Sequence, residues 1–386
     1  MILTLEEIRQ AIEEKRLTAI SIDTSIFDGQ HRGLEWGVLK RVEQFHGSSV
    51  TVLLSDVVKG ELEAHLRKDA SESLSGLDKA LKLASTPWRV SAERRSELKA
   101  AVSGAESPAT IASRRIDDYV LATGAVVIKA EDHATIGEVL ARYFEHRPPF
   151  ADKETKKHEF PDALALLSLE SWAAQEDTLV LVVSNDDDWI AYCTGSERLV
   201  ALDDLATVLG CFQEEAANYC CRQIAAQARR DDSLGLLTSI ETAINEQEWK
   251  IDFDVEADSQ FRFDAEGTES VFTVSGLEGL DEDSAIEPVE YEPGQLVARL
   301  RVAVSADVTV HFSFEKWDGI DKEYMPMGTG SATVKEEMTV EVLVTFSGEF
   351  PNRHEVVNVE VLPQSYLLSV GEVEPDWMND GDNFDD

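Results

Sequence analysis

The sequence predicts an α/β domain on a mainly parallel sheet, followed by an antiparallel all-β domain, either a sandwich or a partly open barrel. Three observations carry this. Short apolar runs rich in β-branched residues alternate with helix-period segments as far as Leu202, the pattern of a parallel sheet with crossover helices. From Trp249 onward the apolar period changes to two, through Ile251, Phe253 and Val255 and then Phe261 and Phe263, as in strands with one buried face. Of the 386 residues, 43% are hydrophobic, enough for sizeable cores in two or three domains.

Taken in order, Thr4 and Glu7 fit a capping box, and Leu5, Ile8 and Ile12 recur at helical spacing, predicting a helix over 4–16. A short strand over 19–23 ends on Asp23, and residues 34–46 have a helical pattern. A second strand spans 50–54, and Ser55 or Asp56 caps a long helix carrying Glu61. Residues 86–120 give two further helices, with breaks at Pro87 and at Ser107-Pro108. A third strand spans 125–128, a helix 132–145, and Arg147-Pro148-Pro149-Phe150 makes a rigid loop. Lys153, Lys156, Lys157 and His158 follow, and then a helix with Pro161 in its first turn and Ala163, Leu164, Leu167 and Trp172 on its apolar face. Strands over 179–183 and 199–202 complete the sheet.

Residues 204–246 are helical in pattern, and later strand-like runs cover 296–304, 308–314, 338–346 and 356–362. The predicted organisation is an α/β domain over 1–210, a helical connector over 211–247, a β-rich domain over 248–372 and a disordered acidic tail over 373–386.

Net charge is −40, with 24 Lys and Arg against 36 Asp and Glu in residues 1–210, and 11 against 39 in 211–386. No basic arm or stripe announces nucleic-acid binding, so a polyanion would need metal ions and a few local cations to be held. No apolar run approaches the roughly 18 residues of a membrane span. Acids follow Met1 where a signal peptide has basic residues, which predicts a cytoplasmic protein. Cys193, Cys211, Cys220 and Cys221 form no Cys-x-x-Cys pair, as expected of reduced core thiols.

Acids stand at element ends. Asp23 follows the first strand, Glu61 lies on the helix after the second, Asp162 opens the helix before the fourth, and Asp186, Asp187 and Asp188 follow the fourth. In a parallel sheet, strand ends and the helix starts after them share one rim, where open α/β folds bind ligands. Each pair of like charges at about 4 Å costs roughly 4 kcal/mol at an effective dielectric near 20. A divalent cation relieves this, and all-oxygen ligands suit Mg²⁺ or Mn²⁺. The alternative is a set of helix-capping, solvated acids, with Glu63 competing for the role of Glu61.

The order Ile22-Asp23-Thr24, Val57-Val58-Lys59-Gly60-Glu61-Leu62, Phe160-Pro161-Asp162-Ala163-Leu164 and Val183-Ser184-Asn185-Asp186-Asp187-Asp188-Trp189 resembles a PIN-domain nuclease over about 18–205. More narrowly, the Arg147–Phe150 loop, Lys156-Lys157 and Phe160-Pro161-Asp162 resemble a bacterial PIN-like subgroup catalogued as a domain of unknown function. The helical stretch 63–121 is then an insertion, and Trp189 stands where the family usually has Phe. The resemblance implies a metal-dependent endonuclease, usually acting on single-stranded RNA by a two-metal Mg²⁺ or Mn²⁺ mechanism. Asp23, Glu61, Asp162, Asp186 and Asp188 would be the metal-binding, catalytic acids.

Arg147, Lys156 and Lys157 either meet substrate phosphate or belong to a solvated loop. Thr24, Ser184 and Asn185 either hydrogen-bond the carboxylates or close turns. His158 reads as a surface residue. A defence or toxin-like role is an analogy with many PIN proteins. The competing reading is a non-catalytic scaffold whose β domain binds a protein partner. A homo-oligomer, or an acidic half that occludes the active site, is also open.

Overall fold

The computed structural model describes residues 2–104, 106–150, 159–213, 215–229, 235–279, 286–292, 294–318, 322–349 and 353–379. The chain forms two compact units, Met1–Phe212 and Gln213–Asp386.

The first unit opens with α1 (Leu5–Glu13), whose capping box has Glu7 N donating to Thr4 Oγ1 at 3.3 Å and Thr4 N donating to Glu7 Oε2 at 2.7 Å. Then come β1 (Leu17–Ile22), α2 (Thr24–Gly29), α3 (Gly37–Lys40) and β2 (Thr51–Ser55). Three helices follow, α4 (Asp56–Ala84), α5 (Ala92–Ser103) and α6 (Pro108–Thr123), and then β3 (Val126–Ile128). The remainder is α7 (Ala130–His133), α8 (Ile136–Glu145), α9 (Phe160–Gln175), β4 (Leu179–Val183), α10 (Asp187–Gly195), β5 (Leu199–Leu202) and α11 (Leu205–Cys211).

The sheet order is β3-β2-β1-β4-β5, and every pair is parallel. β1 and β4 are buried almost throughout, which explains runs such as Val180-Leu181-Val182-Val183: strands covered by helices on both faces have no polar side to show. The chain builds outward from β1 to β2 and β3, then returns to lay β4 on the other side. That reversal places a topological switch point at the carboxyl ends of β1 and β4, where such sheets bind ligands.

Two helical expectations change. The helix expected over 34–46 is α3 followed by a 3₁₀ turn, Arg41–Phe45, because Gly37 takes the left-handed φ of 62° at its start. The helix expected over 132–145 starts at Ile136, because Thr135 and Glu138 form a capping box. The helical insertion is present, and α4 buries only Val58, Leu62 and Leu66, all in its first half.

The second unit contains α12 (Glu215–Ala228), α13 (Leu236–Glu246), β6 (Ile251–Asp258), β7 (Arg262–Leu277), β8 (Ile286–Glu292), β9 (Gln295–Asp318), β10 (Glu323–Glu349), β11 (Arg353–Val361), β12 (Gln364–Glu372) and α14 (Asp376–Asn379). An antiparallel sheet runs β11-β10-β9-β7, with β8 also on β9. The runs expected at 296–304 and 308–314 are one strand. Ser305, Ala306 and Asp307 keep the alternation, with Ala306 buried between Val304 and Val308. β12 and β6 form a separate pair that is parallel, a departure from the all-antiparallel expectation.

Helices α12 and α13 share the core of this unit: Ile224, Ile240 and Ile244 pack with Val302, Val310 and Val342. In the stretch read as an acidic tail, Trp377 Nε1 donates to the Met327 carbonyl at 2.6 Å. Gly330 makes the approach possible, since a Cβ there would lie 2.7 Å from the Glu374 carbonyl oxygen. Residues 380–386 lie outside the described residues. The four cysteines are buried and form no disulfide, and no described helix is long and apolar enough to cross a membrane.

The end of α13 closes two sheet edges. Asn245 Nδ2 donates to Phe272 O at 2.9 Å and Phe272 N donates to Asn245 Oδ1 at 3.0 Å, the exchange a neighbouring strand would make on β7. Gln247 Nε2 donates to Val359 O at 3.0 Å and Val361 N to Gln247 Oε1 at 3.2 Å on β11. Asn245→Ala removes both partners of Phe272 and is expected to cost about 1–2 kcal/mol in urea unfolding, with Gln247→Ala giving a comparable loss at the opposite edge.

Candidate active site

Asp23 caps α2 directly after β1 and is only 4% exposed. Thr24 N donates to its Oδ1 at 2.6 Å, while Ser25 Oγ at 2.5 Å and Ser184 Oγ at 2.8 Å donate to its Oδ2. Ser184 follows β4, the neighbour of β1, and Asp186 N donates to the same hydroxyl at 3.0 Å. Asp186 in turn caps α10, accepting from Asp188 N at 2.7 Å and Trp189 N at 3.2 Å.

Glu61 joins from α4. The Thr24 hydroxyl donates to its Oε2 at 2.8 Å. This is the first of three rungs between the α2 segment and α4, each separating partners by 37 residues. His65 Nδ1 lies 3.0 Å from Asp28 Oδ1, and Arg32 Nε donates to Asp69 Oδ2 at 2.6 Å. Glu61, His65 and Asp69 recur at i, i+4 and i+8, so one helical stripe faces one neighbour.

Asp162 joins from the first turn of α9. Trp189 Nε1 donates to Asp162 Oδ1 at 2.8 Å, so Trp189 holds Asp186 through its backbone and Asp162 through its indole. The fully buried ring fixes that geometry. Phe150 also supports the entry to α9: it is fully buried against Phe160 and Tyr143, with centroids 5.0 and 5.4 Å away. Arg142 Nη1 donates to Pro148 O at 3.0 Å and pins the same loop.

One hydrogen-bonded network therefore links Glu61, Asp23, Asp186 and Asp162. Among the described residues no cation pairs with any of these four. Burial pushes Asp162 up to about 6, and the charges of Glu61, Asp23 and Asp186 push the same way against the Trp189 hydrogen bond. Burial also raises Asp23, opposed by hydrogen bonds from Ser25, Ser184 and Thr24. Asp188 lies in the first turn of α10, half-buried, and Asp187 beside it is exposed.

The remaining candidates are placed as follows. Arg147 is exposed and pairs with Glu145 at 2.7 Å. Thr24 is buried with its hydroxyl on Glu61, and Asn185 is exposed, its N–H donating to Ser25 Oγ at 3.1 Å. Lys156, Lys157 and His158 lie outside the described residues. Ser25 and the Trp189 indole were not singled out in the sequence as carboxylate donors. Ser25 had a signal, since a hydroxyl two residues after a strand-end Asp commonly closes such a turn.

Among the described residues no three His, Cys, Asp or Glu side chains stand as a closed metal-binding group. The donor chemistry nonetheless fits a hard divalent cation: oxygen donors only, net negative, drawn together, and neutralised by no Lys or Arg among the described residues.

A parallel sheet with a carboxylate network at its switch point has the donor chemistry to hold a divalent cation. The family model described as PIN domain matches residues 20–189. This part of the chain is similar to the PIN-domain family, whose members are generally nucleases that use divalent metal ions. No curated protein and no solved structure matches the chain.

Two measurements follow from the acid network. Trp189→Phe keeps a ring but removes the indole donor, so Asp162 should titrate above its wild-type value of about 6 in carboxyl-carbon NMR. The Asp162 carboxyl has its ordinary value, 3.8, in the unfolded chain and about 6 in the folded one. Between those values the folded state binds the extra proton, so stability contributed here is present at low pH and lost as pH rises through the window. In chelator, the difference in melting temperature between wild type and Asp162→Asn should grow from pH 4 to pH 7. Mg²⁺ or Mn²⁺ should shrink it at pH 7.

Proposed function

We propose that the N-terminal unit is an endonuclease that hydrolyses phosphodiester bonds, with single-stranded RNA as its substrate and Mg²⁺ or Mn²⁺ as its cofactor. The observation that carries this reading is the single network joining four carboxylates, paired with no cation among the described residues, from four separate segments at the switch point of a PIN-matched sheet. The choice of RNA follows the family resemblance.

Asp23, Glu61, Asp162 and Asp186 are the residues that would hold the cation, with Asp188 beside them. When bound, the ion supplies Lewis-acid charge for activating water and for the oxygens of an in-line displacement. The chain's own part is positional. Ser25 and Ser184 orient Asp23, Thr24 orients Glu61, and Trp189 orients Asp162, each with a neutral donor that leaves the negative charge in place. Arg147, Lys156 and Lys157 are proposed to meet substrate phosphate, as the few cations available to a polyanion on an acidic chain. Protonation of Asp162 removes a ligand charge, so activity should fall toward acid, at a pH below the metal-free value of about 6 because a bound cation favours the ionised carboxyl.

Labelled single-stranded RNA and DNA are incubated with the full chain in Mg²⁺ or Mn²⁺, with and without chelator. Metal-dependent cleavage is expected, lost by more than roughly 100-fold in Asp23→Asn with Asp162→Asn. Loss should be about 10-fold in Ser184→Ala, which removes only an orienting donor. Undiminished cleavage by the double variant ends the assignment of these residues, and preference for DNA ends the choice of RNA.

A further inference from the structure

The second unit covers some of its strand edges and leaves another open. Asn245 and Glu241 occupy the outer edge of β7 at Phe272 and Val274, and Gln247 that of β11. Among the described residues, β6 in contrast has a strand only on its β12 side. Residues 259–261 alone connect β6 to β7, yet no ladder joins these two strands, which belong to different sheets. Two open hollows of about 420 and 470 Å³ are bounded by β6, by Ser365, Ser369 and Gly371 of β12, and by β7. They run along the whole of β6 and are faced by Phe263, Ala265 and Gly267 of β7.

β6 alternates strictly. Phe253, Val255 and Ala257 pack toward the core, while Asp252, Asp254, Glu256 and Asp258 are exposed. A two-stranded ribbon is marginal by itself, and an edge strand is usually blunted by Pro, Lys, a bulge or a covering element. β6 has neither Pro nor Lys. Its one device is the acid row, continued across the gap by exposed Asp264 and Glu266. Among the described residues no ion pair neutralises Asp254, Glu256 or Asp258. Such a row repels a second copy of the same strand and favours one of opposite charge, because cross-strand charge pairs follow sign.

We propose that the free edge of β6 accepts an extended basic segment of another protein as a third strand. Main-chain hydrogen bonds supply the pairing, and alternate side chains supply the selection. Apolar side chains of the incoming strand lie in the hollows against Val255 and Phe263, and its Lys or Arg side chains stand opposite Asp254, Glu256 and Asp258. The proposal is independent of the nuclease reading, since every residue in it belongs to the second unit.

The test uses the full chain and a fluorescent eight-residue peptide alternating valine and lysine. Saturable binding by anisotropy is expected, with hydrogen exchange slowed at 251–258. The same peptide with alternate main-chain nitrogens methylated keeps its charge but loses its donors, and should bind at least about 10-fold more weakly. Asp254→Asn with Glu256→Gln, both at exposed positions, should weaken the unmodified peptide by a similar factor. Equal binding of the methylated peptide would reduce the effect to charge attraction and overturn the proposal. So would absence of saturable binding, exchange protection confined elsewhere, or self-association of the chain through β6.

Discussion

Crowding of like charge at one rim of a parallel sheet is the constraint on which the first unit is organised. Asp23, Glu61, Asp162 and Asp186 come from four separate segments, and each is steadied by a neutral donor: a hydroxyl, an indole or a backbone N–H. An Arg or Lys would relieve the repulsion more effectively, but it would also take the place of the cation proposed to bind here. Neutral donors fix direction without cancelling charge. The buried strands β1 and β4 supply the rigidity that keeps these groups from separating, since neither has an exposed face along which to shift.

The position of Glu61 depends on a second device. β2 delivers the start of α4 to the rim, but a helix as long as α4 can roll about its axis. The rungs Asp28–His65 and Arg32–Asp69 lock that rotation, and the bidentate pairing of Arg115 with Glu35 ties the turn after α2 to α6. The helical insertion thus acts on the site through α4 and α6, holding the turn between α2 and α3 from outside.

The first unit was largely legible in the sequence because its strands are buried on both faces and read as unbroken apolar runs, with polar caps marking the helices after them. The placement of the acids was legible by position, although Asp23 and Asp186 also serve as helix caps, which their sequence positions suggest equally. The indole of Trp189 was not legible, because a large aromatic residue between apolar neighbours reads as packing, and nothing local says its N–H reaches Asp162. The rungs between α2 and α4 were hidden for the same reason, being contacts at a separation of 37 residues. In the second unit, β12 pairs in parallel with the distant β6 and so shows no local hairpin signal, whereas β8, interrupted by Pro288, was legible only through the turn dipeptide Pro293-Gly294 that precedes β9. Helices α12 and α13 are amphipathic, which a connector and a core helix share until their partner is known.

The closure made by α13 has a consequence for how the second unit forms. Its two clamping residues, Asn245 and Gln247, are synthesised before either strand they hold, and Gln247 must wait for Val359, 112 residues later. Contacts so remote in the chain make assembly slow and leave raw strand borders exposed until the last hairpin arrives. A nascent chain that stops before β11 therefore carries an unfinished sheet, and completion comes only with the final strands.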